Sequence, residues 1–137
     1  MRVYFDTSAL AKRYIKESGT AEVNEAMNKA SQIVVSVITL PELISALMRN
    51  KINKKVTELQ YEESKNELAK DMQDMGVCEL NSGVISQAVG LIEKFSLRTL
   101  DALHLACSIQ SQSELFVSSD QKQLNAARLL KINVRQV

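Results

Sequence analysis

An α/β fold, with a parallel sheet covered by helices on both sides, is predicted by three observations. Short β-rich runs alternate with helix-forming stretches along the whole chain, and that alternation builds parallel strands joined by helical crossovers. Ile33–Val37 is β-branched and suits a buried strand. Only four glycines and one proline interrupt 137 residues, so the elements follow one another through short turns. That length, 45% hydrophobic, suits one domain, residues 1–137, with a real core. The expected architecture is a three-layer sandwich around four to five mostly parallel strands.

Arg2–Phe5 is a short β-rich run. Asp6-Thr7-Ser8 then supplies a helix start, and Ala9–Lys16 carries helix formers up to Glu17-Ser18-Gly19. A second helix spans Thr20–Ala30, with Val23, Ala26 and Met27 as its apolar stripe. After the Ile33–Val37 strand, Thr39-Leu40-Pro41-Glu42 opens a helix to about Asn53. Proline is tolerated in a first turn, and an acid there suits the helix dipole. Val56–Met75 is charged and helical in pattern, with Gly76 as its stop. Val77–Leu80 reads as a strand. Asn81-Ser82 caps a helix through about Phe95, and Arg98-Thr99 leads into Leu100–Gln110. Leu115–Val117 is a strand, Gln121–Leu130 a helix, and Asn133–Val137 an edge strand.

Two cysteines and one histidine exclude a disulfide framework, a Cys-rich zinc site and a histidine-rich metal site. No Gly-rich phosphate loop and no Gly-x-Ser-x-Gly turn occurs. Ser8 stands where an aspartyl-phosphate site would carry a second Asp, which weakens that reading of Asp6. The segment MRVYFDTSAL puts Asp6 where a signal peptide needs an apolar run. The longest apolar stretches fall far short of the roughly 18 residues of a membrane span. A cytoplasmic protein with free thiols at Cys78 and Cys107 is expected, with no membrane partner. The net charge is +1, too small for a polybasic coat. Residues 1–55 hold nine Lys/Arg against five Asp/Glu, and residues 56–137 eight against eleven. The front half thus offers local attraction for phosphates, although ordinary surface charge has the same composition.

What remains is a recurring placement of acids. Asp6 and Asp120 each follow a strand, and Glu42 and Asp101 each lie in the first turn of a helix. Singly, Asp6 and Asp120 are good N-caps and Glu42 is ordinary first-turn chemistry. Jointly, strand C-terminal ends of a parallel sheet face one crevice, where ligands bind. Four carboxylates meeting there resist ionising together unless a cation joins them. Oxygen-rich sites suit Mg²⁺ or Mn²⁺, and such an ion shares its sphere with phosphates. The reaction class this suggests is metal-assisted phosphodiester hydrolysis.

The blocks Val3-Tyr4-Phe5-Asp6-Thr7-Ser8-Ala9-Leu10, Leu40-Pro41-Glu42-Leu43, Thr99-Leu100-Asp101-Ala102-Leu103-His104-Leu105-Ala106 and Phe116-Val117-Ser118-Ser119-Asp120 together resemble the PIN-domain ribonucleases. The likeness covers essentially the whole chain and is strongest to the VapC-type toxins of VapBC toxin–antitoxin pairs. It implies a parallel sheet between helices and an acidic quartet of Asp6, Glu42, Asp101 and Asp120 holding Mg²⁺ or Mn²⁺. Thr7, Ser8 and Ser118 would orient water or substrate beside it. It further implies an Mg²⁺-dependent endoribonuclease acting on tRNA, rRNA or mRNA, a homodimer, and a VapB-type antitoxin as partner. Two alternatives stay open: a catalytically silent PIN-like module that binds RNA or protein, and a stand-alone RNA-processing nuclease without antitoxin.

Lys12, Arg13 and Arg98 lie nearest the acids in sequence and are the candidate phosphate contacts. Arg49, Lys51, Lys54 and Lys55 gather towards the far end of the Glu42 helix, where they suit the negative helix end and solvent better than RNA binding, because Glu42 lies at the opposite end. His104 reads as a satisfied, semi-buried residue. Leu59, Met72 and Met75 are candidates for a dimer or antitoxin surface. Aromatic residues are too few for a stacking platform, and Leu129-Leu130-Lys131-Ile132 lacks the glycine that would close the last helix well.

Overall fold

A computed structural model describes residues 1–137. Five strands, β1 (Arg2–Phe5), β2 (Gln32–Ser36), β3 (Gly76–Cys78), β4 (Leu115–Ser118) and β5 (Val134–Gln136), form one sheet in the order β3-β2-β1-β4-β5. Every pairing is parallel. Seven helices connect them: α1 (Thr7–Tyr14), α2 (Thr20–Lys29), α3 (Thr39–Ile52), α4 (Glu58–Met72), α5 (Ser82–Phe95), α6 (Thr99–Gln110) and α7 (Gln121–Leu129).

The central strands are buried on both faces, and their residues alternate between two cores, as the two-residue strand period requires. Tyr4, Val34 and Phe116 join side chains of α5, α6 and α7 on one face. Val3, Phe5, Val35 and Val117 join α1, α2, α3 and α4 on the other. The result is the predicted three-layer sandwich with five strands.

Several boundaries differ for identifiable reasons. Gly76 does not stop a helix. Helix α4 ends at Met72, and Gly76 pairs with Val34 as the first residue of β3. The same helix starts later than Val56, because Thr57 and Gln60 form a reciprocal capping box. Met75 is buried and Met72 packs against the same core, so neither offers a docking surface; only Leu59 of that trio is exposed.

Helix ends close without glycine. Lys54, Gln112 and Lys131 adopt left-handed φ values of 55°, 54° and 60°. Each sits in the paired backbone bonds of a Schellman turn, as in Lys131 N–H to Arg128 O and Ile132 N–H to Ala127 O.

The sheet order places a topological switch between β1 and β4: the chain leaves β1 towards β2 on one side and reaches β4 on the other. Open parallel sheets bind ligands at this point, beyond the strand C-terminal ends. Asp6 follows β1 and Asp120 lies two residues after β4, on either side of it.

Candidate active site

A cleft of about 560 Å³ opens at this switch. Asp6, Glu42, Asp101 and Asp120 all line it, carried by the starts of four different helices. The parallel sheet explains the meeting. Helices that follow β1, β2 and β4 begin at the strand C-terminal edge, and α6 presents its first turn to the same opening.

Asp6 is the deepest of the four, only 3% exposed. As N-cap of α1 it accepts the Ala9 N–H at 2.9 Å. Ser8 Oγ lies 2.7 and 2.8 Å from its two oxygens, and Ser118 Oγ lies 3.0 Å from Oδ2. Burial nevertheless pushes its carboxyl above the ordinary value, against the opposing pull of His104 and these donors. Asp120 caps α7 through the Gln123 N–H at 2.8 Å.

Glu42 is held from the protein side. Thr7 Oγ1 donates to Oε1 at 2.7 Å, and His104 Nε2 lies 2.7 Å from the same oxygen. Burial pushes this carboxyl up, but the bonds from His104 and Thr7 outweigh it and hold it below its ordinary value. His104 is itself buried and satisfied at both ring nitrogens, since Tyr4 Oη lies 2.8 Å from Nδ1. With ionised Glu42 requiring a donor, Nε2 carries a proton. His104 is thus a buried support for Glu42.

Asp101 draws no such support. Burial and then the charge of Asp120 raise its carboxyl, with a smaller push from Glu42. The acids therefore sense one another across the cleft. None of Asp6, Asp101 and Asp120 has an ion-pair partner; the one pair at the site is Glu42 with His104.

This donor set fits a divalent cation in kind: hard oxygen ligands, uncompensated charge and an open space beside them. As the side chains stand, no three of them gather at ligating distance, because Asp6 and Asp120 are turned onto their own helix starts.

The remaining candidate residues divide. Thr7 and Ser8 line the cleft, where they brace Glu42 and Asp6. Ser118 does not reach it. It is fully buried, bonded beneath Asp6 and also 2.9 Å from Gln123 Oε1, so its place is structural support. Arg13 lies outside the cleft lining, and Asp71 engages its guanidinium at 2.6 and 3.2 Å. Lys12 donates to Ser18 O at 2.9 Å and lies outside the cleft lining. Arg98 is exposed and outside the lining as well, although its charge opposes the rise at Asp101.

Two residues beyond the expected set belong to the site. Gln123, fully buried, ties Ser118 to the backbone of α6 through its bond to Asp101 O at 3.2 Å. Arg49 lines the cleft, on the same face of α3 as Glu42 and Ser45. Its position was encoded in helix phase: residues 42, 45, 46 and 49 share one face.

The model of the PIN domain matches residues 3–129. No curated protein matches the chain by sequence. Among solved structures, VapBC2 from Rickettsia felis, bound to a promoter DNA fragment, superposes with a TM-score of 0.72 at 15% identity, covering 100% of this chain and 99% of that one. PAE2754 from Pyrobaculum aerophilum gives 0.72 at 16% identity, covering 98% and 83%. VapC20 from Mycobacterium tuberculosis, a Sarcin-Ricin loop cleaving toxin, gives 0.69 at 13% identity, covering 90% and 94%. At these identities the likeness is one of fold.

Proposed function

Because the chain belongs to the PIN-domain family, we propose that it is a metal-dependent endoribonuclease, the toxin of a type II toxin–antitoxin pair. The observation that carries this is the meeting of four carboxylates from four helix starts in one cleft, three of them without a cationic partner. Asp6, Asp101 and Asp120, with Glu42 completing the pocket, would hold Mg²⁺ or Mn²⁺. When bound, such an ion offsets the repulsion between these acids and a phosphodiester, and it makes water a better nucleophile. The chain's own contribution is placement. Ser8 and Ser118 hold Asp6, and Thr7 and His104 hold Glu42, at the cleft; Asp6 and Asp120 would turn from their helix starts to meet the ion. The toxin reading is supported by neighbours such as VapBC2 and VapBC-1 from nontypeable Haemophilus influenzae; a VapB-type chain is the partner it implies. No helix is long and apolar enough to cross a membrane.

Incubation with total RNA tests the activity. Discrete cuts are expected with Mg²⁺ or Mn²⁺, stopped by EDTA and restored by excess metal. Cutting that persists in EDTA, or RNA left whole with every divalent ion tried, would overturn the proposal.

A further inference from the structure

Arg49 is the one arginine or lysine that lines the acidic cleft, and its position is not needed to explain the four acids. We infer that it forms a subsite for a second phosphate of the RNA strand, beside the phosphate being cut. This deepens the nuclease reading and rests on it.

Availability is the first argument. Arg2, Arg13 and Arg135 are all bonded to side chains or backbone elsewhere in the fold. Lys51, on the same helix as Arg49, is paired with Glu58 at 2.6 Å. Arg49 has no carboxylate partner; its only bond is a marginal one to Ser45 Oγ, at 3.3 Å. An exposed guanidinium without an acid is open to a phosphate, which it can bind in a bidentate way.

Placement is the second. Arg49 lies seven residues beyond Glu42, about 10 Å along the α3 axis, and the cleft runs between them. Ala11, Ser45 and Ala46 line that stretch, so small side chains leave a trough rather than a wall. The offset suits a neighbouring phosphate of an extended strand, not the phosphate at the acids.

Electrostatics is the third. Four carboxylates repel every phosphate except the one that an ion bridges to them. A strand leaving the acids towards Arg49 meets attraction, whereas no other arginine or lysine lines the cleft. Arg49 therefore sets the side of the scissile bond on which a charged phosphate matters.

The test uses Arg49→Gln and Arg49→Lys in the full chain, with unchanged melting confirming that this exposed position does not disturb the fold. Binding of a fluorescent single-stranded RNA is measured by anisotropy in an Asp6→Asn background, so cleavage is not required. Gln is expected to weaken binding about tenfold and to reduce the salt slope of log K by about 0.7, one single-strand phosphate contact. Lys should restore the slope without the full affinity.

In the cleavage arm, Gln should raise KM with kcat nearly unchanged. A single uncharged methylphosphonate is then walked along the RNA. At one position, on one side of the cut, it should impair the wild type but add nothing to Arg49→Gln. Equal losses at all positions, or affinity and slope unchanged in the binding arm, would overturn the inference. So would RNA binding that is unchanged while binding to polyglutamate falls, which assigns Arg49 to an acidic protein segment. If no RNA is cut at all, the nuclease reading fails, and the anisotropy arm still decides whether Arg49 holds a phosphate.

Discussion

Helix α1 carries a polar cluster at each end, and the two differ in compensation. At its C-terminal end, Asp71 of α4 accepts two bonds from Arg13 and one from Tyr14 Oη at 2.7 Å; Asn24 Oδ1 lies 3.2 Å from the same guanidinium. Glu67 lies 3.5 Å from it. At the N-terminal end, Asp6 shares a cleft with three more acids. Its hydrogen bonds are full but no cation meets its charge. Both clusters are at least partly buried. The paired one locks α1 to α4. In the unpaired one, burial raises Asp6, while burial and then the charge of Asp120 raise Asp101, a repulsion that a ligand cation would relieve. Compensation, more than charge itself, separates scaffold from site here.

The largest expected effect comes from Asp6→Asn. Losing a group that merely supports a metal ligand costs about 10–100-fold, so losing this carboxylate should reduce cleavage by more than about 100-fold. Asparagine also caps helices well, so the Ala9 N–H keeps an acceptor. Because Asp6 is raised in the folded state, its ionisation opposes folding. That cost grows as pH rises from about 3.9, the unfolded value, through the folded pKa. The variant should therefore melt no lower than wild type in metal-free buffer at neutral pH, with any advantage vanishing in acid. Full cleavage by Asp6→Asn would break the comparison at its functional end.

Asp71→Ala should do the reverse. Removing one partner of a buried pair costs about 3–5 kcal/mol, but the Arg13 side chain is 26% exposed and water recovers part of it. A loss of about 2 kcal/mol is expected in denaturant unfolding, with RNA cleavage intact. Burial pushes Asp71 up, yet the bonds from Arg13 and Tyr14 outweigh it and hold the carboxyl below its ordinary value. The stabilisation is therefore present above about pH 3.9 and lost as pH falls through the folded pKa. Wild type and variant should converge in acid, and a difference that widens there would contradict the pairing.

The two ends of α1 were not equally legible in the sequence. Asp6 and Asp120 follow strands, and a parallel sheet brings strand ends together, so topology alone joined them. Arg13 looked equally close to the acids, yet its partner is 58 residues away on α4. There Asp71 is one of several charges in a stretch whose sequence shows only that it is charged and helical in pattern. Long-range pairing of this kind leaves no local pattern. Arg49 did leave one, but its distance along α3 from Glu42 obscured their shared helical phase. Gly76 fell to tertiary context: pairing with β2 overrode its tendency to end a helix. Lys131 shows the converse, since packing holds a left-handed helix end that the residue itself disfavours.

The smallest effect sharpens the same contrast. Glu67 also faces Arg13, but at 3.5 Å and with half of its side chain exposed. Such a pair is screened by water and gains little over its separated ions, so Glu67→Gln should cost less than about 0.5 kcal/mol. Double-mutant cycles of Arg13→Ala with Glu67→Gln and with Asp71→Ala then apportion the cluster. If bonded geometry is what locks α1 to α4, nearly all the coupling to Arg13 resides in Asp71. If Glu67→Gln costs as much as Asp71→Ala, summed negative potential holds Arg13 instead. In that case the paired end of α1 would be governed by the same diffuse electrostatics as the cleft, and compensation by bonded partners would no longer distinguish the two.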